Sequence, residues 1–349
     1  MFSAAKKSVV GLDIEAGYIA AVEGRPASVE VERAAVAELP PGVVREGEVV
    51  DRAALTDSLK QLFAEHKLGK RVRIGLANQR VVMRTVDLPP ITDEKQLGSA
   101  VRFQAQEQIP MPLDQAVLEH QSLGLVGTSD GPKTRVVLVA ARRDMVEQIV
   151  GAVRDAGLRP EGVDLSAFAL IRALHRSGDP DTATAYLNVG AITNLALATG
   201  TQCIFTRVVP TGIEQVVTEL SDRRGLTHEH AAGWLQHVGM VDPIGSVEGD
   251  PDIVQTTRMV LETGAARIAD EVRTTLNFYA AQDTGTTAER ALITGSVVSI
   301  PGFAEAIAAD LRIPAEVRTV AGAADAKLDG TEFGQLAIAA GLTVEEAPA

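Results

Sequence analysis

Asp13 ends an apolar run and Glu15 opens a tight turn, Glu15-Ala16-Gly17, before a second apolar run leaves, giving VVGLDIEAGYIAAVE over 9–23. The pattern recurs at 185–205, AYLNVGAITNLALATGTQCIF. There Asn188 ends the run, Gly190 and Ala191 sit in the turn, Thr193 begins the return, and a second Gly turn leads to a third run. A polar strand end beside a glycine turn leaves backbone N–H groups free to point between two strands, the way phosphate-cradling hairpins are built. One copy in each half of a 349-residue chain implies a duplicated architecture with a cleft between the halves.

Other residues of chemical type carry less. His228-Glu229-His230 with His237 departs from the His-Glu-x-x-His spacing of a helical zinc site and reads as a solvated helix face. Cys203 lies inside an apolar run and reads as a buried strand residue; one cysteine excludes a disulfide framework and suits a reducing compartment. Trp234 reads as packing, and Pro110-Met111-Pro112 as a helix stop rather than a polyproline ligand. No Ser/His/Asp or Cys/His set stands out, so no catalytic residue and no metal ligand is assigned.

The composition bounds the function classes. At 46% hydrophobic the chain can bury two domains. The balance of 33 Lys and Arg against 46 Asp and Glu, net −13, argues against nucleic acid and favours small molecules or basic proteins as partners. The start, MFSAAKKSVVGLD, lacks the apolar stretch of a signal peptide, and no apolar run approaches the ~18 residues of a spanning helix. The expectation is a cytoplasmic chain with no direct membrane insertion.

The elements that must hold the two turns follow from periodicity. Alternation over 28–37 predicts a third strand after the first hairpin. Leu55, Leu59, Leu62 and Phe63 predict a helix over 51–66 capped by Asp51. Strands are expected at 71–76 and 79–88, a helix after Thr92-Asp93-Glu94, strands at 116–125 and 134–141, and helices at 142–156 and 165–176. Ser177–Asp181 reads as the linker between halves. Helices are then expected at 213–223, 227–238 and 253–281, the last with Leu276 and Phe278 inward, followed by a strand at 290–294 and helices at 304–311 and 332–341.

Several stretches in this order carry a family resemblance. VGLDI near the start, VDLPP at 86–90, RFQAQEQIPMPLDQAVLEHQ at 102–121, RDAGL at 154–158, FTR and a Gly turn at 205–212, and ITGSVVSIPGF at 293–303 fall in register. Over nearly its whole length the chain resembles the PilM family of type IV pilus assembly proteins, relatives of FtsA in the actin-like ATPase superfamily. The resemblance implies an α/β, actin-like ATPase fold of two duplicated domains with a small inserted α/β subdomain. The first domain would take 1–87 and 153–180, the insertion 88–152, the second domain 181–212 and 270–349, and a helical subdomain 213–269. It also implies ATP with magnesium as cofactor, and a cytosolic adaptor role in binding the N-terminal tail of a PilN-like bitopic inner-membrane protein. Homo-oligomerisation is left open. The implied nucleotide residues are Asp13, Glu15, Gly17, Asn188, Gly190, Ala191, Thr193, Gly295 and Ser296. For the partner tail, a groove beside the strand carrying Val82, Arg84 and Val86 is implied.

The nucleotide positions depart from the superfamily pattern. Glu15 stands where the first phosphate loop has glycine, Ala20 where it has lysine, and Asn188 where the second loop has the aspartate that holds hydrated magnesium. Val297 falls in the adenosine loop, and Gly233 and Gln236 replace the Glu and Lys that meet ribose and adenine. A carboxylate about 4 Å from a phosphate charge costs roughly 4 kcal/mol per pair at an effective dielectric near 20. These departures point to a pseudo-ATPase that keeps the fold. The alternatives are an active ATPase and an FtsA-like polymer-forming protein; the acidic ending GLTVEEAPA lacks the amphipathic helix of the latter.

Overall fold

The first hairpin pairs β1 (Val9–Glu15) with β2 (Tyr18–Gly24) antiparallel, and all fourteen residues are buried, as continuous apolar runs require when both sheet faces are covered. The structure is a computed structural model that describes residues 8–24, 29, 31–91, 93–128, 131–282, 285–321 and 334–344. β3 (Arg33–Glu38) extends the meander, and a small ribbon follows, β4 (Val44–Arg45) and β5 (Glu48–Val49). Helix α1 (Arg52–His66) starts at Asp51, whose carboxylate accepts from the Ala54 N–H, and it buries Leu55, Leu59, Leu62 and Phe63. β6 (Arg71–Leu76) returns parallel to β1.

The insertion is built from β7 (Val82–Leu88), α2 (Glu94–Gln108), β8 (Ala116–Thr128) and β9 (Gly131–Arg142), with sheet order β7-β9-β8. Its extent differs from the expected 88–152. The strand before Pro89 pairs with β9 and so belongs to the insertion. Helix α3 (Arg143–Asp155) instead puts Ile149, Ala152 and Val153 into the core of the first sheet beside α1. β10 (Arg159–Leu165) then pairs with β6, completing the order β10-β6-β1-β2-β3, and α4 (Ser166–Leu174) follows.

The second half repeats this plan. β11 (Ala183–Val189), β12 (Thr193–Thr199) and β13 (Gln202–Val209) form the meander; α5 (Ile213–Arg224), α6 (His228–Val238) and α7 (Pro251–Ala280) follow. β14 (Arg290–Thr294), α8 (Phe303–Asp310) and β15 (Ala315–Val317) complete it, with sheet order β13-β12-β11-β14-β15. Each sheet is thus a three-strand meander with two parallel strands added beyond its first strand, which is the duplicated actin-like plan. Helix α7 runs unbroken through the expected boundary at 269/270. It turns Tyr279 inward to stack on Phe205 with ring centres 4.4 Å apart, which leaves Phe278, expected inside, 63% exposed.

The last described helix, α9 (Ala337–Thr343), was expected with the second domain but packs on α4, β1 and β2, between the two sheets. The expected start of that helix at Glu332, the Thr92 cap and the Ser28 strand start lie outside the described residues. Close approach explains the glycines here: a Cβ at Gly11 would lie 1.8 Å from the Ala339 carbonyl, and one at Gly341 1.9 Å from that of Ala169. α4 and α9 with Tyr186, Ala196 and Leu292 make the core that joins the halves.

Candidate functional site

The two hairpin turns meet across this joint. Gly17, at φ 92°, closes the β1–β2 turn and sends Glu15 toward the β11–β12 turn. There the Glu15 carboxylate accepts from the Asn188 side-chain amide at 2.8 Å and from the Ala191 N–H at 3.1 Å. Gly190 must be glycine: a Cβ would fall 1.9 Å from a Glu15 oxygen. Its loop is held from behind, since the Ile213 N–H at the start of α5 donates to the Gly190 carbonyl (2.8 Å) and the Thr193 hydroxyl donates to that of Thr211 (2.6 Å). The Thr193 hydroxyl is therefore spent on the fold.

The electrostatics follow from burial. Glu15 is pushed up to about 7 by burial, against the lowering effect of its Ala191 and Asn188 hydrogen bonds. Asp13 is pushed well up by burial and by the Glu15 charge, and the Tyr18 hydroxyl is raised by burial and by both carboxylates. Asp13 Oδ2 and Asn194 Nδ2 are buried without a hydrogen-bond partner, and both residues line a void of about 20 Å³. That is room for about one water molecule. Glu46 and Gly47, from the β4–β5 turn, close its rim, and no lysine or arginine lines it among the described residues.

A magnesium nucleotide does not fit this arrangement. The backbone cradle that would take a phosphate already holds a carboxylate, the cavity admits one water, and the lining carries three acids without a cation. Asn188 directs its amide to Glu15 and, as a neutral side chain, brings no charge of its own to a cation at that strand end. Sequence reasoning found Asp13, Glu15, Asn188, Gly190 and Ala191, and the structure brings them together. It did not assign Tyr18 or Glu46 to the site; Asn194, which follows Thr193 in the second loop, joins Asp13 at the void.

Residues 11–344 match the family described as type IV pilus assembly protein PilM. The chain belongs to this family. Among solved structures it is similar to a chain of the PilM–PilN type IV pilus biogenesis complex. The TM-score there is 0.79 at 26% identity, covering 97% of this chain and 98% of that one. More distant likenesses extend to the ethanolamine utilization protein EutJ from Carboxydothermus hydrogenoformans (TM-score 0.57, 16% identity, 97% and 89% covered). MreB5 of Spiroplasma citri bound to ADP is also similar (TM-score 0.55, 10% identity, 96% and 95% covered). The last two show the fold alone, the actin-like ATPase fold.

The remaining family positions sort by place. Gly295, at φ 107°, abuts the Val189 backbone at the end of β11, and the buried Ser296 hydroxyl has no partner. Val297 turns into the core of the second half and so does not crowd the cleft. Gly233 and Gln236 are exposed on α6. On β7, an edge strand, Arg84 is exposed with its guanidinium on the Met83 carbonyl, Val82 is half-buried, and Val86 lies inside the insertion's own core.

Proposed function

We propose that this PilM-family chain is an adaptor of type IV pilus assembly that holds the N-terminal cytosolic tail of a PilN-like bitopic membrane protein. The observation that carries this reading is the likeness, over nearly the full length of both chains, to a chain of a PilM–PilN complex. Bitopic tails on the cytosolic side are rich in Lys and Arg, so a chain of net −13 attracts them over long range. In this reading the tail lies between the first large domain and the insertion, beside β7, with Val82 and Arg84 facing it and Val86, on the same face of the strand, covered by α2. Among the described residues no helix is long and apolar enough to cross a membrane. With a PilN-like protein as its partner, the chain in this reading works at the cytosolic face of the inner membrane.

In the same reading the hairpin cleft is a structural joint and not an ATPase centre, because Glu15 supplies in cis the negative group that a phosphate would bring. The test of the partner site is titration of a peptide spanning the first residues of a PilN-like protein into wild type, Val82→Asp and Arg84→Ala, with circular dichroism as the folding control. Wild type binds, more weakly as salt rises; Val82→Asp weakens binding by roughly tenfold through the lost apolar contact, and Arg84→Ala, which removes a cation facing a basic tail, does not weaken it. If folded Val82→Asp binds like wild type, β7 is not the wall; if salt has no effect, the electrostatic part is wrong.

A further inference from the structure

A groove of about 590 Å³ opens in the second half between the C-terminal part of α7, the segment leading into β14 and the turn after α8. Its place in the sheet separates it from the hairpin cleft. β11, β14 and β15 run parallel, and the cleft lies at the C-terminal ends of β11 and β14, beside Asn188 and Gly295. The groove is lined by Thr287, Ala288 and Ile313, which precede β14 and β15, about one strand length or roughly 15 Å away.

Its chemistry is two-sided. Leu276, Ala288 and Ile313 give an apolar floor, and Arg273 and Arg312 bring two guanidinium groups to the lining. The one carboxylate there, Asp270, is ion-paired with Arg273. Arg312 has no hydrogen bond or ion pair among the described residues. Its backbone is at φ 61°, a left-handed conformation that costs an L side chain energy and glycine none. A charged side chain is thus presented to solvent from a strained position in a chain whose net charge is −13. On α7, one turn beyond Thr274 of the lining, Phe278 stands 63% exposed, the kind of aromatic that a protein partner covers.

We infer that this groove docks an acidic segment of a partner protein, with a carboxylate held by Arg312 and Arg273 and a neighbouring apolar side chain laid on Leu276 and Ile313. Guanidinium forks match carboxylates in geometry as well as charge, and the apolar floor adds a contact that a bare anion would not use. A basic segment, drawn to the molecule as a whole, is repelled at this spot, so the two partner sites select opposite charges. The inference stands apart from the reading of the hairpin cleft and of β7.

The experiment titrates the full chain into a fluorescein-labelled eight-residue peptide of alternating Glu and Leu, read by anisotropy, with the Lys-for-Glu peptide as control. The acidic peptide binds tighter than the basic one by about tenfold or more, and more weakly as sodium chloride rises. Arg312→Gly and Arg273→Gln each weaken it by about tenfold. Arg312→Gly melts at or above the wild-type temperature, since glycine suits the left-handed turn, so its lost affinity is not lost folding. Hydrogen exchange shows protection over 270–280 and 311–313. Preference for the basic peptide, unchanged affinity in Arg312→Gly, or protection confined elsewhere overturns the proposal. Full displacement by inorganic phosphate at the concentration of peptide sites does so too, by reducing the groove to a small-anion site.

Discussion

A carboxylate at position 15 needs donors on the facing hairpin, and a carboxylate at position 188 would deny it one. The glutamate in the first loop and the asparagine in the second are therefore coupled: Asn188 supplies the 2.8 Å hydrogen bond that a family-type aspartate would turn into repulsion between two buried acids. Asn188→Asp alone should lower stability by about 3 kcal/mol at pH 8 in urea unfolding, and far less in a Glu15→Gly background. Additive effects in that cycle would mean that the two residues do not sense each other. A pH dependence follows from the same carboxyl. Glu15 sits at about 7 in the folded chain against 4.5 for the free group, so the folded state binds more protons between those values, and stability falls as pH rises through that window. The span is worth up to roughly 3 kcal/mol, and Asp13, shifted the same way, adds to it. Glu15→Gln should flatten the urea midpoint between pH 5 and 8; a midpoint as steep as wild type would place the titration elsewhere.

Between α4 and β11 the linker is pinned rather than loose. Asp179 meets Arg290 at the start of β14 (3.2 Å) and Arg318 just past β15 (2.6 Å), and it also accepts from the Arg176 N–H (2.9 Å). Arg318 is 7% exposed, so deleting its partner leaves a buried cation that, among the described residues, only the Leu174 carbonyl and Glu316 still meet. Asp179→Ala should cost about 3 kcal/mol and lower the thermal midpoint by several degrees. These guanidinium groups, Arg318 above all, hold the Asp179 carboxyl far below the usual carboxylate range. Its contribution is thus present above the unfolded pKa near 4 and is lost as pH falls below it. If the variant unfolds at the wild-type temperature, the clamp is decoration.

At the scale of the molecule, the halves are joined by apolar helices at the core of the joint and by one carboxylate at the cleft. Removing the carboxylate empties the Gly190–Ala191 cradle and leaves the α4–α9 packing intact. Glu15→Gly with Asn188→Asp should therefore gain magnesium-ATP binding that calorimetry detects, where wild type gives no measurable heat. Ala20→Lys, which the superfamily pattern would add, is left out: Ala20 is fully buried in the joint, and a lysine ammonium there costs several kcal/mol. Micromolar ATP binding by wild type would overturn the reading of the cleft as a joint.

The two hairpins, their polar ends and their repetition were legible from residues 9–23 and 185–205 alone, because turn chemistry and strand alternation are written in neighbouring residues. So were most helices, with the Asp51 and Asp93 caps. Which side of an element is covered was not, since that depends on what arrives from far along the chain. Val86 and Arg84 alternate identically in sequence, yet α2 covers one and not the other; Phe278 and Tyr279 adjoin, and only the second finds Phe205. α9 returns from the end of the chain to wedge between the sheets. The same holds at the site. That Glu15 is wrong for a phosphate loop could be read from its type. That its carboxylate spans 173 residues of sequence to occupy the opposite loop was decided by the closure of the two halves, which alone brings those turns within hydrogen-bonding reach.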